Sequence, residues 1–226
     1  LISNDPEKVH EIAMDLNSFN KERQKIEEIL LEKVDKKAQN NLNDPVLFLQ
    51  GEDWHAGVIG IVASRMKDKY NKPTILITFD GSKGKGSARS VYGFDIGAVI
   101  ITAVQLQILE KGGGHKMAGG FSINKSKLED FKNLIIKKFK QLKMDLAKQK
   151  MLYVDTIISP SALNEEFYNN ISLLSPFGPG NSEPKFIIQD VKVINATLIG
   201  TKHIKVIFYG RDGKSFRGMA FNSQKT

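Results

Sequence analysis

The sequence predicts a mixed α/β domain, a sheet flanked by helices, with a long helical arm before it and a β-rich module after it. Three observations carry this. Apolar residues over 9–30 recur at alternating spacings of three and four, the period of a helix with one apolar side. Short apolar runs at 46–49 and 73–79 alternate with helix-like stretches, the signature of a sheet covered by helices. After residue 184, strand-like runs follow one another at roughly ten-residue spacing, as in a small barrel or sandwich.

The arm covers residues 1–44. Asn4 or Asp5 caps it, Pro6 takes the first helical position and Glu7 the first turn. Val9, Ile12, Leu16, Phe19, Ile26 and Leu30 form the apolar seam, and position 23 on that seam is Arg23. A guanidinium there either meets a partner or ligand, or packs its stem and reaches water with its head. Asn17-Ser18 is a candidate break into two helices, and Asn40 to Pro45 ends the arm.

The α/β domain covers residues 45–147. Val46–Leu49 reads as a buried strand. Gly51 to Arg65 is a loop entering a helix whose inward stripe is Val58, Ile61, Val62 and Met66; Trp54 anchors its start, and His55 is either a site residue or incidental. Pro73–Phe79 is a second strand. Asp80 to Lys85 turns the chain, and Gly86–Val91 returns with Ser87 and Arg89 on one face, a hydroxyl beside a guanidinium. That pair suits a phosphate, or marks a solvent-facing edge. A helix opens at Asp95-Ile96 and runs to Gly112. Next comes the densest feature of the chain: from Gly112 to Gly120, nine residues hold five glycines and His115, between Lys111 and Lys116. Free N–H groups ahead of a short helix would make an anion cradle with an imidazole at its centre; the alternative is a flexible turn. A short strand, Phe121–Ile123, and a helix from Lys125 to about Lys148 close the domain, the helix carrying Lys127, Lys132, Lys137, Lys138 and Lys140 opposite its apolar side.

Residues 148–226 form the β-rich module. Leu152–Ile158 reads as a strand, Pro160–Leu174 as mostly helical, and Ser175–Pro184 as a shaped loop. Strand-like runs follow at Lys185–Gln189, Val191–Leu198, Ile204–Tyr209 and Ser215–Phe221, with a turn at Gly210–Gly213. Lys202, His203, Lys205, Arg211, Lys214 and Arg217 give basic edges, with Phe208, Tyr209 and Phe216 interleaved, the composition of a single-strand-binding groove or of an ordinary barrel with a charged surface.

Charge adds weight. The net +8 divides as −3 over residues 1–45, +7 over 46–147 and +4 over 148–226. A polyanionic partner fits, as does a merely lysine-rich composition. Zero cysteines exclude disulfides and thiolate metal sites and fit a reducing, cytoplasmic setting. No signal peptide opens the chain, and no apolar run approaches the roughly 20 residues that span a bilayer. The four histidines, His10, His55, His115 and His203, show no metal-ligand spacing, and neither a nucleophile elbow nor a P-loop is present. The chain starts without Met and stops just after a strand, so it reads as a piece whose barrel is truncated.

Three ordered motifs, Trp54 to Arg65, Gly86 to Ser90 and Gly112 to Gly120, together with the arm segment Asn17 to Glu27 and the loop Pro176 to Pro184, resemble the RecJ family of single-strand-specific 5′→3′ DNA exonucleases. The resemblance covers essentially the whole chain. It implies a linker helix at 1–44, a DHH-associated substrate-binding domain at 45–147 and an OB-like barrel at 148–226. It also implies that His115, as the catalytic-site residue, and the amides of Gly112, Gly113 and Gly114 grip the DNA backbone beside the scissile phosphate. Ser87 and Arg89 would hold the end nucleotide's phosphate, Arg23 would reach in from the arm, and His55 is a weaker candidate. The activating Mn2+ or Mg2+ ions would belong to a DHH domain absent from this chain, with none expected here. The implied partners are single-stranded DNA and, beyond it, a single-strand-binding protein or a recombination helicase; the resemblance implies a monomer that uses no membrane. The competing readings are a nucleotide or short-oligonucleotide phosphodiesterase of the same superfamily, and a non-catalytic single-strand-binding module.

Overall fold

A computed structural model describes residues 4–142, 152–178, 180–221 and 223. The chain divides into two compact units, Leu1–Lys150 and Met151–Thr226.

The first unit opens with helix α1, Pro6–Ala38, capped by the Asp5 carboxylate, which accepts the Glu7 and Lys8 amides at 3.1 and 3.3 Å. The helix does not break at Asn17-Ser18. Mid-helix Asn and Ser cost only about 0.5–0.7 kcal/mol each against Ala, and 33 residues absorb that. The apolar seam is not buried along its length either. Leu30, Val34 and Ala38 are buried, whereas Val9, Ile12, Leu16 and Phe19 are 40–65% exposed, because only the C-terminal half of α1 lies against α2 and the sheet.

Five strands build the sheet: β1 Leu47–Glu52, β2 Thr74–Asp80, β3 Lys83–Arg89, β4 Lys111–His115 and β5 Ala118–Asn124, in spatial order β1-β2-β3-β5-β4. β1 and β2 run parallel through the crossover helix α2, Ile59–Tyr70; the other pairs are antiparallel. One face packs Leu47, Leu49 and Leu76 beneath α1 and α2, with Trp54, Val58, Ile59, Val62 and Met66. Ile59 therefore takes the inward place expected of Ile61, which is half-buried. The other face packs Ile75, Ile77, Phe121 and Ile123 against α3, Ile96–Gln105, and α4, Leu128–Gln141.

α3 stops at Gln105 and does not reach Gly112. Gln107 turns left-handed (φ +56°), and the Ile108 and Leu109 amides both fold back on the Ala103 carbonyl at 2.9 and 3.2 Å. That turn buries Leu109, leaves Leu106 exposed and frees the glycines to form a strand. The glycine run is accordingly no loop ahead of a helix: Gly112, Gly113 and Gly114 lie in β4, turn at Lys116-Met117 and return as β5. None of the five glycines has positive φ, so their use is close approach of backbone, not left-handed geometry. Before α4, Lys125–Lys127 is a single 3₁₀ turn; the tail expected to Lys148 lies outside the described residues beyond Leu142.

The second unit has a three-stranded antiparallel sheet, order β10-β9-β8, from β8 Lys192–Ile199, β9 His203–Tyr209 and β10 Ser215–Ala220, consistent with an OB-like fold. The strand expected over 152–158 shrinks to β6, Thr156–Ile157, which pairs with β7, Phe186–Ile187. The expected helical stretch is a 3₁₀ turn at Pro160–Ala162 followed by α5, Glu165–Ser172, capped by Asn164. In the Pro/Gly loop, Asn181 Nδ2 donates to the Leu174 and Pro176 carbonyls at 2.8 and 3.1 Å.

Candidate phosphate-binding site

α2 covers the sheet face over β1 and β2 only. On the same face, β3, β5 and β4 stand open, and the register places their side chains in three cross-strand rows: Lys85–Ser122–Lys111, Ser87–Gly120–Gly113 and Arg89–Ala118–His115. Neighbouring strands lie about 4.8 Å apart. The result is a shallow trough with small residues along its floor and cationic or polar side chains on both walls. A cleft of about 500 Å3 occupies the end nearest the start of α2, lined by Gly57, Gly60, Lys85, Ser87, Lys111 and Gly120 among others.

The glycines divide by face. A methyl group added at Gly113 would meet nothing within 4 Å, and one at Gly120 only the Gly86 carbonyl oxygen at 3.8 Å, so both leave open floor in the trough. Gly112 points the other way, where a Cβ would fall 2.8 Å from Ile100 Cγ2; Gly114 and Gly119 are likewise closed in. Three of the five glycines thus serve close packing, against α3 or the neighbouring strand, and two leave the site open. β4 is an edge strand, so its outer rim presents unpaired N–H groups alternately.

Arg89 is half-buried, and its Nη1 donates to Ser87 Oγ at 3.0 Å and to the Ala88 carbonyl at 2.9 Å. Burial draws its pKa below the ordinary arginine value. No carboxylate pairs with it among the described residues. A partly desolvated guanidinium with no carboxylate partner is matched to an incoming phosphate. Gly60 makes this arrangement possible: a Cβ there would lie 3.0 Å from Arg89 Nη2 and 3.1 Å from Ser87 Oγ. His115 is exposed, and its Nδ1 accepts the Met117 amide in a long bond of 3.4 Å. A neutral ring accepting at Nδ1 carries its proton on Nε2, which makes Nε2 a donor.

Ser87, Arg89, Gly113 and His115 therefore share one surface. Arg23 and His55 occupy others. Arg23 donates to Asn20 Oδ1 (3.0 and 3.3 Å) and to Glu27 Oε2 (2.8 Å), and no hydrogen bond or ion pair joins it to the trough. His55 lines a separate groove with Ile26, Leu30, Lys33 and Asp53, its Nδ1 accepting the Gly57 amide at 3.2 Å. Sequence reasoning missed Glu27, which is 2% exposed and also meets Arg65 Nη2 at 2.5 Å, a charge contact without hydrogen-bond alignment. Its signal was available: Glu27 stands four residues after Arg23, beside Ile26 on the seam. Lys85 was missed because Asp80 to Lys85 reads as a turn, whereas β3 starts at Lys83 and puts Lys85 on the same face as Ser87 and Arg89.

In the second unit, Lys192, Lys205, Arg217, Tyr209 and Met219 share one face of the sheet, while Val193, Leu198, Val206, Phe208 and Phe216 share the other. Phe208 and Phe216 stack on each other (5.1 Å between ring centroids, 22°) on that apolar face, so they do not interleave with the basic residues; only Tyr209 does.

Among the described residues no group of three or more His, Asp or Glu could hold a metal ion, so these side chains do not fit a resident Mn2+ or Mg2+ site. No helix among them is long and apolar enough to cross a membrane.

The first unit is thus a helix-flanked sheet with an open glycine-lined strip, and an OB-like module follows it in the chain. Residues 43–141 match the DHHA1 domain family and residues 154–226 the RecJ OB domain family. The chain belongs to the RecJ family, resembling the C-terminal part of its members. It is 31% identical over 225 residues to the single-stranded-DNA-specific exonuclease RecJ of Haemophilus influenzae, covering 94% of this chain and 39% of that protein. To RecJ of Bacillus subtilis it is 29% identical over 214 residues, covering 91% of this chain and 27% of that one. The crystal structure of Thermus thermophilus RecJ in complex with Mn2+ superimposes on all of this chain and 32% of its own, with a TM-score of 0.75 at 25% identity.

Proposed function

We propose that this chain is the substrate-holding part of a single-strand-specific 5′→3′ DNA exonuclease that works in recombination and repair. One observation carries the reading: on one open sheet face Ser87 shares its row with Gly120 and Gly113 and Arg89 shares the next row with Ala118 and His115, and no carboxylate among the described residues neutralises Arg89. Ser87 Oγ and the Arg89 guanidinium hold the phosphate of the end nucleotide. Gly113 lets the backbone approach the next one, and Nε2 of His115 donates a hydrogen bond to a phosphate oxygen beside the scissile bond, stabilising charge as it develops. Arg23, paired with Glu27 on the arm, would meet the DNA strand outside the trough. The exposed basic face of the second unit (Lys205, Arg217, Tyr209) follows the strand by charge and stacking. Curated relatives carry the name of a single-stranded-DNA-specific exonuclease, and solved RecJ structures are described with Mn2+ and with Mg2+. Such an ion, when bound in the intact enzyme, activates water for phosphodiester hydrolysis; its ligands lie elsewhere than in the described side chains.

The test is binding of a labelled single-stranded oligodeoxynucleotide by the 226-residue chain across a salt series. Affinity falls steeply with salt if several phosphates are neutralised. Absence of binding at low salt refutes the reading. The chain is further expected to leave DNA uncut with Mn2+ present, and robust cleavage by it would overturn the division of labour.

A further inference from the structure

Beyond Arg89 the chain makes a tight turn, Ser90-Val91-Tyr92-Gly93-Phe94, and the side chains of that turn are divided sharply. Val91 and Phe94 are 5% and 3% exposed, and Phe94 sits edge-on to Phe139 at 5.1 Å. Ser90 Oγ donates to the Phe94 carbonyl at 2.6 Å, closing the turn, and Gly93 supplies the positive φ of +87° that it requires. Tyr92, held between these anchors, is 82% exposed. An aromatic ring kept in water on a rigid turn loses the burial that such a side chain normally contributes. Opposite it is Met117, 40% exposed, from the β4–β5 turn, whose carbonyl accepts the Ser90 amide at 2.8 Å. Tyr92 and Met117, with Lys67, Asp68 and Asn71 from the end of α2, line a cavity of about 210 Å3, where Lys67 pairs with the Asp68 carboxylate.

That cavity lies a short stretch of chain from the Arg89 end of the trough, since Ser90 and Met117, which line it, follow closely on Arg89 and His115. Tyr92 stands three positions from Arg89, at most about 10 Å of chain, and Met117 stands two positions from His115. We propose that this cavity is a nucleobase subsite: the base of the nucleotide whose phosphate lies at Ser87 and Arg89 stacks on the Tyr92 ring, with the Met117 thioether at its edge. A base fits the chemistry because it offers a flat π-face to the phenol ring and to the polarisable sulfur. Stacking is indifferent to base identity, which suits a site that accepts any sequence. The inference rests on the phosphate reading of Ser87 and Arg89.

The experiment is fluorescence anisotropy with the whole chain and two short single-stranded probes of equal length, one of ordinary nucleotides and one of abasic sites. Tyr92→Ala is expected to weaken binding of the ordinary probe about tenfold and leave the abasic probe unchanged, while Tyr92→Phe stays within about twofold of wild type. A melting midpoint matching wild type establishes that the variants are folded. Wild-type affinity of Tyr92→Ala for the ordinary probe, or an equal loss on both probes, overturns the subsite. If Arg89→Ala weakens binding while Tyr92→Ala does not, only the subsite falls. If neither changes it, or the wild-type chain binds neither probe, the phosphate reading falls too.

Discussion

The five-stranded sheet of the first unit is buried on one face from β1 to β5 and on the other across β1 and β2, between two apolar clusters that include Phe131, Ile75 and Ile123 on one side and Leu47, Leu76 and Met66 on the other. The three-stranded sheet of the second unit has no such support: of that unit's described residues only Pro160 and Gly210 are buried, and every residue of β8 is exposed. The two sheets carry polar faces of similar composition, lysine and arginine beside small or aromatic residues, on backings of different rigidity. Arg89 is held by two hydrogen bonds and by the adjoining helix, a placement suited to fixing one phosphate. Lys205 and Arg217 stand on a thin sheet, a placement suited to sequence-independent attraction along a strand. On the proposed function, precision and capture would fall to different backings.

Core substitutions break this comparison most strongly. Phe131→Ala, in the closed cluster, is expected to cost about 3–5 kcal/mol, whereas Phe208→Ala, on the half-exposed apolar face of the second sheet, costs about 1 kcal/mol. Chemical denaturation of the two variants measures both, and similar losses would show that the second sheet is as firmly backed as the first. Next in size is Arg89→Ala, expected to weaken single-strand binding by about 1.5–3 kcal/mol, roughly 10- to 100-fold, with thermal stability nearly unchanged. Arg217→Ala should cost less and act mainly by lowering the salt slope by about one. Equal losses from the two would remove the distinction between fixing and attracting.

Within the glycine run the comparison sharpens further. Gly112→Ala puts a methyl group 2.8 Å from Ile100 Cγ2 and should destabilise the first unit by about 1–3 kcal/mol. Gly113→Ala meets nothing within 4 Å and should leave stability nearly intact while reducing DNA binding, since its methyl group stands in the trough. A melting curve and a binding isotherm for each variant separate the two roles, and equal melting midpoints would erase the division by face.

This run also marks how far the sequence can be read. β1, β2 and α2 were legible because Leu47, Leu49, Leu76 and the Val58–Met66 stripe are apolar at the right period. Ser87 and Arg89 could be placed on one face from the two-residue period of a strand alone. Glycines carry neither period nor strand propensity, so β4 looked like a loop; its state is fixed by pairing with β5 and by the Gln107 turn that ends α3 early. The row that aligns Arg89 and His115 across Ala118 arises from register among three strands and joins residues 26 apart in sequence, which no local pattern encodes. The exposed half of α1 was misjudged for the opposite reason: Val9 to Phe19 have the period of a buried seam, and periodicity does not say whether anything packs against it.

The smallest expected effect concerns how the second unit holds its thin sheet together. Asp212, in the β9–β10 turn, accepts the Ser161 amide at Oδ2 (2.8 Å) and the Lys214 amide at Oδ1 (3.1 Å), tying the Pro160 turn to the hairpin. Slight desolvation works against the charged form, but the amide donors of Lys214 and Ser161 outweigh it and hold the carboxyl below its ordinary value of 3.8. A carboxyl depressed in the folded state stabilises the fold above its unfolded pKa, and that contribution is lost as pH falls through the folded pKa. The tie is therefore expected to be intact at neutral pH and to weaken as pH drops below about 4. Asp212→Asn cannot titrate, so it should flatten the acid limb of the second unit's stability while lowering stability modestly at neutral pH. Following the Tyr209 and Tyr153 signals through an acid titration of both proteins reads this out. An unchanged acid limb in the variant would mean that the tie between the Pro160 turn and the hairpin is not held by charge, and that the thin sheet draws its order from elsewhere in the unit.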